Sequence, residues 1–182
     1  MESYYPDAES IWDSEWPKPI GEPVEVNVAV DADHATDQKT RRSKTGILIF
    51  IGSNLYKSVS KMQKTVADST FSAEIIALGH AADKTRYLLY TLRSLGVPVK
   101  MPIHIFSDSK SAVDNVTIPG SLLKKKNECI QYHKLRKGIV VGDWEIFHMD
   151  GKENSSDINT KVVTRDTLGY HSGNILAGQR IT

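Results

Sequence analysis

The order of the apolar periodicities predicts a mixed α/β fold, a central sheet flanked by helices. Three strand signals come first; then helix and strand signals alternate: helix, strand, two helices, strand, helix. A second observation is that four acids, Asp31, Glu74, Asp108 and Asp157, each sit where an element ends or begins. A third is size. At 182 residues, 40% hydrophobic and 25% charged, the chain suits one domain with a real core.

Each element has its own justification. Residues 1–23 carry Pro6, Pro17, Pro19 and Pro23 without periodicity. They read as an acidic leader, either a linker or a packed extended arm with Trp12 and Trp16 as anchors. The domain proper runs over 24–162, and 163–182 reads as a C-terminal tail. The alternating run 24–31 ends on Asp31 and predicts the first strand. Residues 47–51 and 55–60 predict a hairpin around Gly52-Ser53-Asn54. Phe71, Ile75, Leu78, Ala82, Leu89 and Leu92 recur at helical spacing. They predict a helix from Thr70 to Leu95, capped by Ser69 or Thr70 and stopped by Gly96-Val97-Pro98. A strand is expected at 102–107 and a short helix from Ser109 to Val116. After the break at Pro119-Gly120 come a basic helix over 122–137, a strand at 144–149 and a helix from near Ser156.

Acids far apart in sequence, each at an element's end, can converge on one edge of a sheet. Converged carboxylates repel unless cations hold them, so the pattern points to bound metal. A Mg²⁺ pair about 3.5–4 Å apart, with Mn²⁺ as a substitute, suits phosphodiester hydrolysis. Asp31 is the expected bridge between the ions, with Glu74 and Asp108 on one side and Asp157 on the other. Any one of these acids taken alone is a weak signal, since an acid at an element's end is more often a cap or a solvated residue. Glu74 is the exception: its spacing from Thr70 rules out a capping box, and its apolar neighbours make an unexplained carboxylate costly. Asp33 lies two residues beyond Asp31, so it shares a strand face and competes as a ligand, though it reads more readily as a loop residue bonding its own backbone over residues 33–37.

The net charge of +1 conceals an asymmetry: residues 1–25 sum to −6 and residues 26–182 to +7. A basic body fits a polyanion. Lys124, Lys125, Lys126, Lys134, Arg136 and Lys137 form one group that could straddle phosphates, or simply a solvated helix face. Arg41, Arg42 and Lys44 form a second. Tyr132 and His133 read as packing or hydrogen-bonding residues. Cys129, the single cysteine, excludes a disulfide framework and a zinc cluster, fits a reducing compartment, and makes a disulfide-linked partner unexpected. No apolar stretch approaches the roughly 18 residues that span a bilayer, and the acidic start lacks a signal core, so neither a membrane nor secretion is expected.

Five segments carry a resemblance. Asp31-Ala32-Asp33-His34-Ala35 with Arg41-Arg42-Ser43-Lys44-Thr45-Gly46 resembles the start of the ribonuclease H domain of copia-type retrotransposon polyproteins. The run from Ser60 to Thr70 leading into Ala73-Glu74 is similar to that family's second motif, and Ser107-Asp108-Ser109-Lys110-Ser111-Ala112 to its third. Tyr132-His133-Lys134-Leu135-Arg136 and Ser156-Asp157-Ile158-Asn159-Thr160-Lys161 resemble the last two. The resemblance covers residues 24–162. It implies a ribonuclease H-like fold and metal-dependent hydrolysis of the RNA strand of RNA–DNA hybrids during reverse transcription. It also implies Asp31, Glu74, Asp108 and Asp157 as the catalytic and metal-binding acids. The expected partners are the hybrid and an upstream reverse transcriptase domain, in the cytoplasm or in virus-like particles, with this chain as a polyprotein's terminal piece or a fragment of one. Two departures stand out. The family continues Thr160-Lys161 with Pro-Leu, where this chain has Val162-Val163. The loop Asp150 to Asn154 has no histidine of the kind many cellular relatives carry, and His148, placed in a strand, reads as structural. Two other functions remain open on the same residues: a catalytically silent nucleic-acid-binding remnant, and a DNA-cutting nuclease.

Overall fold

A computed structural model describes residues 1–8, 16–122 and 128–176. Strands β1 (Val26–Asp33), β2 (Lys44–Ile51), β3 (Asn54–Met62), β4 (Ile103–Ser107) and β5 (Trp144–His148) form one sheet in the order β3-β2-β1-β4-β5. β1 pairs antiparallel with β2, and β2 with β3. β1 pairs parallel with β4, and β4 with β5. The mixed sheet follows from connection length: a tight turn can reverse a chain, whereas parallel neighbours need a crossover. Helix α1 (Thr70–Ser94) supplies the first crossover. Helices α2 (Lys110–Thr117) and α3 (Cys129–Val140) supply the second. β1 occupies the centre, so Val26 to Ala32 are all buried.

The main core lies between the sheet and α1, α2 and α3. Val28, Val30, Ile47, Ile49 and Ile105 meet Ile75, Leu78, Leu89, Val116 and Leu135 there. Trp144 closes its far end, donating from Nε1 to the Leu135 carbonyl at 3.0 Å. Gly138 makes that closure possible, because a Cβ there would lie 2.0 Å from the indole ring. The opposite sheet face has a smaller cluster, Ala29, Leu48 and Phe50, covered by Ile175 of α4 (Arg165–Leu176).

The expected elements form, with shifts at their ends. β2 and β3 are longer than their apolar runs because ladder pairing extends to Lys44↔Met62. Ser69, rather than Thr70, caps α1 by accepting from the Ser72 N–H at 3.1 Å. The basic helix is described only from Cys129 onward; Lys124, Lys125 and Lys126 lie outside the described residues, as does Trp12. The helix expected near Ser156 is instead a 3-10 turn, Ser155–Asn159, and the last α-helix starts at Arg165. The reason is anchoring. Asn154 donates from Nδ2 to the Val30 carbonyl at 3.0 Å and accepts from the Ser156 N–H at 3.2 Å, which ties the turn to the sheet. The leader packs as an arm where it is described. Ile20 donates a backbone hydrogen bond to Gly96, Trp16 meets Tyr90 edge-on at 5.6 Å, and Tyr5 Oη bonds His133 Nδ1 at 2.7 Å.

Candidate metal centre

The sheet order brings the carboxyl ends of β1 and β4 side by side. Asp31 therefore lies near Asp108, just past β4. Helix α1 starts at the same edge and presents Glu74 from its first turns. Gln63 secures that start, donating from Nε2 to Thr45 Oγ1 at 3.0 Å and to the Ala73 carbonyl at 2.9 Å. Asp31, Glu74 and Asp108 each offer one carboxylate oxygen within 4.8 Å of the others. Asp31 is 1% exposed and Glu74 4%.

Burial raises all three carboxyls above their ordinary values. Asp31 is pushed up to about 6, chiefly by burial, even though the Thr160 hydroxyl bond and the Lys161 charge oppose the shift. Glu74 is pushed up to about 9 by burial and then by the charges of Asp31 and Asp108. Asp108 is raised for the same leading reason. Glu74 Oε2 is buried with no hydrogen-bond partner. An orphaned, buried carboxylate oxygen beside two further hard-oxygen donors fits a divalent cation such as Mg²⁺.

The fourth acid arrives differently. Gly46, the register partner of Asp31, leaves room for the 3-10 turn to lie across β2. A Cβ at Gly46 would meet Ser156 O and Thr160 Cγ2 at 2.7 Å and Asn159 Cβ at 2.9 Å. The turn is further held by Ser60 Oγ, which donates to the Asn159 carbonyl at 2.6 Å. Thus placed, Thr160 Oγ1 donates to Asp31 Oδ2. Lys161 Nζ lies 2.8 Å from Asp157 Oδ1 and 3.6 Å from Asp31 Oδ1. Asp157 therefore meets Asp31 through an ammonium, outside the group of three.

Other expected site residues fall elsewhere. Asp33 is half-buried at the end of β1 and does not join the group of three; its carbonyl accepts from Thr36 Oγ1 at 2.8 Å. His148 Nε2 lies 3.1 Å from the Asp108 carbonyl, close to the acids yet tied to backbone. Arg136 requires a correction. It is 2% exposed and donates to the carbonyls of Asn115, Ile118 and Pro119, so its guanidinium is a structural tie, not a phosphate contact. Lys134 is paired with Asp83 at 2.8 Å, whereas Lys137 is exposed. Arg41 and Arg42 are exposed in the β1–β2 connection, at the sheet edge that carries the acids, and Lys44 is half-buried. Gly46, Asn154, Thr160 and Lys161 were not singled out from sequence for the site. A glycine opposite the bridging acid, and the polar pair following Asp157, were the signals available.

Glu74 makes metal-free stability pH-dependent. Its folded pKa of about 9 exceeds its ordinary 4.5, so over that window the folded state keeps a proton that the unfolded chain releases. Stability is greatest below the window and falls as pH rises through it. In EDTA, thermal midpoints are expected to drop from pH 6 to pH 8.5 more steeply for wild type than for Glu74→Gln. Parallel profiles for the two proteins would count against a buried, protonated Glu74.

No protein-family model matches the chain. The retrovirus-related Pol polyprotein from transposon TNT 1-94 of Nicotiana tabacum is 32% identical over 149 residues, 78% of this chain and 11% of the polyprotein. The corresponding polyprotein from transposon RE1 of Arabidopsis thaliana is 25% identical over 145 residues, 80% of this chain and 10% of the polyprotein. The chain is a homologue of copia-type retrotransposon Pol polyproteins. It spans about a tenth of the length of these relatives. Among solved structures, LC11-RNase H1, isolated from compost by a metagenomic approach, superposes with a TM-score of 0.58 at 14% identity, covering 75% of this chain and 92% of that one. The same enzyme in complex with RNA/DNA hybrid gives 0.54 at 16% identity, covering 71% and 88%. The foamy viral protease-reverse transcriptase in complex with RNA/DNA hybrid gives 0.52 at 14% identity, covering 90% of this chain and 23% of that one. The fold of this Pol homologue is therefore that of ribonuclease H.

Proposed function

We propose that this chain is a divalent-cation-dependent endonuclease that hydrolyses the RNA strand of RNA–DNA hybrids, as part of a retrotransposon Pol polyprotein. The observation that carries this reading is the convergence of Asp31, Glu74 and Asp108 around an orphaned buried carboxylate oxygen. In this reading Asp31, Glu74 and Asp108 hold cations, with Asp157 serving the open side. Two divalent ions bound there supply Lewis acidity, lowering the pKa of a water and neutralising charge on the phosphodiester. The remaining work belongs to the chain. The Thr160 hydroxyl fixes one Asp31 oxygen, and the other faces the Lys161 ammonium at 3.6 Å. Asn154 and Gly46 keep the Asp157 turn against the sheet.

Arg41 and Arg42 stand at the same edge, where they can meet backbone phosphates of a duplex whose shape and 2′-hydroxyls mark its RNA strand. Replacing both with Gln is expected to weaken hybrid binding without changing the rate at saturating substrate. The slope of log affinity against log salt should flatten by roughly 0.7–0.9 per lost contact. Fluorescence anisotropy over a salt series in EDTA reads this, and an unchanged slope would move the grip to other cations.

The decisive assay compares labelled RNA–DNA hybrid, RNA duplex and DNA duplex, each with Mg²⁺ and with EDTA. Cleavage confined to the RNA of the hybrid, and only with Mg²⁺, is the expected result. Cleavage of DNA duplex instead would make the chain a DNA nuclease on the same fold. Binding without cleavage would make it a silent remnant.

A further inference from the structure

Lys161 places an ammonium inside the acid cluster, and neither the fold nor the similarity to Pol polyproteins assigns it a task there. Its Nζ lies 2.8 Å from Asp157 Oδ1 and 3.6 Å from Asp31 Oδ1, with the side chain 41% exposed. The placement is built rather than incidental. Lys161 follows Thr160, whose hydroxyl donates to the other Asp31 oxygen and whose N–H is tied back to the Asp157 carbonyl; Lys161 N–H also donates to that carbonyl at 2.9 Å. The turn that carries Asp157 and leads into Thr160 and Lys161 is seated in the space that Gly46 leaves. Two neighbouring cation positions result. One is bounded by Asp31, Glu74 and Asp108. The other, between Asp31 and Asp157, already holds a positive charge.

We infer that Lys161 is the resident counter-cation on the Asp31–Asp157 side and that a second divalent ion binds only by displacing it. The inference rests on the metal-centre reading above and adds an order to it. The first ion enters between Asp31, Glu74 and Asp108, where Lys161 lies within ion-pair distance of Asp31 alone, at the longer of its two separations. The second must break the Lys161–Asp157 ion pair, so its affinity is set by a side chain of the protein itself. Lys161 then acts as a positioning residue: in the metal-free protein it holds Asp157 beside Asp31, and when it swings out its charge is released toward solvent, where a polyanion could take it up.

Mn²⁺ alone, titrated into the metal-free protein and read by electron paramagnetic resonance of the free ion, tests this without any turnover. Wild type is expected to show one tighter and one weaker site. Lys161→Met should tighten the weaker site by about tenfold or more, since a full charge at ion-pair distance has been removed. Lys161→Arg, which keeps the charge, should resemble wild type. Two equally tight sites in wild type, unchanged binding in Lys161→Met, or Lys161→Arg behaving like Lys161→Met would each overturn the inference. If Lys161→Met is unfolded without metal, refolding by Mn²⁺ supports it and failure to refold opposes it. No Mn²⁺ uptake by wild type or by either variant would instead remove the metal centre itself, a separate failure.

Discussion

Asp31→Asn is expected to abolish Mg²⁺-dependent cleavage of an RNA–DNA hybrid while leaving the fold intact. Asp31 joins three of the interactions at the edge: it belongs to the group with Glu74 and Asp108, accepts from Thr160, and faces Lys161. Asparagine keeps its shape and can still accept the Thr160 hydroxyl, yet it carries no charge for a cation. Loss of one preorganised electrostatic group in an active site costs about 10²–10³ in turnover, and a shared ligand should sit at or beyond the upper end. Stability should move the other way. Burial already penalises the charged Asp31, so its removal should raise the thermal midpoint in EDTA above neutral pH and shrink the rise produced by Mg²⁺. Asp33→Asn is the internal control, because Asp33 lies outside the group of three and should change neither readout appreciably. Equal losses from the two substitutions would mean that the wrong aspartate of the pair has been placed at the cation.

The second large effect comes from a residue with no functional group. Gly46→Ala would put a Cβ 2.7 Å from a backbone oxygen and from the Thr160 methyl, and 2.9 Å from Asn159 Cβ. None of the three atoms is the far end of a long, flexible side chain, so the turn Ser155–Asn159 must lift from β2. Overpacking of this kind costs about 1–3 kcal/mol. The functional loss should exceed the stability loss. As the turn lifts, Thr160 leaves Asp31, and Asp157 and Lys161 move away from the cluster together. Cleavage is therefore expected to fall steeply in a protein that still unfolds cooperatively, with denaturant midpoints giving the stability change. Gly120→Ala, where nothing lies within 4 Å, should leave both quantities near wild type. If Gly46→Ala retained full activity, the turn's seat on β2 would not be what places the fourth acid.

By itself the sequence determined the architecture, and the ends of its elements singled out four acids, of which the fold groups Asp31, Glu74 and Asp108. Strands and helices announce themselves through short-range apolar periodicity, and β1, α1 and β4 have strong patterns, so the acids at their ends could be placed on one edge before any coordinates. The resemblance in five segments implied the same four acids, Asp157 among them. The tertiary structure alone decided how Asp157 gets there. Its turn carries no periodic signal and is shaped by bonds that are distant in sequence: Asn154 to Val30, Ser60 to Asn159, Thr160 to Asp31. It likewise decided which cations are spoken for. Lys134 and Arg136 look alike in composition as members of a basic helix, but only the packing shows one paired with Asp83 and the other buried among carbonyls. Periodicity reports which face of an element is apolar. It does not report which polar group across the fold will meet a given charge, because that depends on how close two backbones can come, as Gly46 allows β2 and the acid-bearing turn to do.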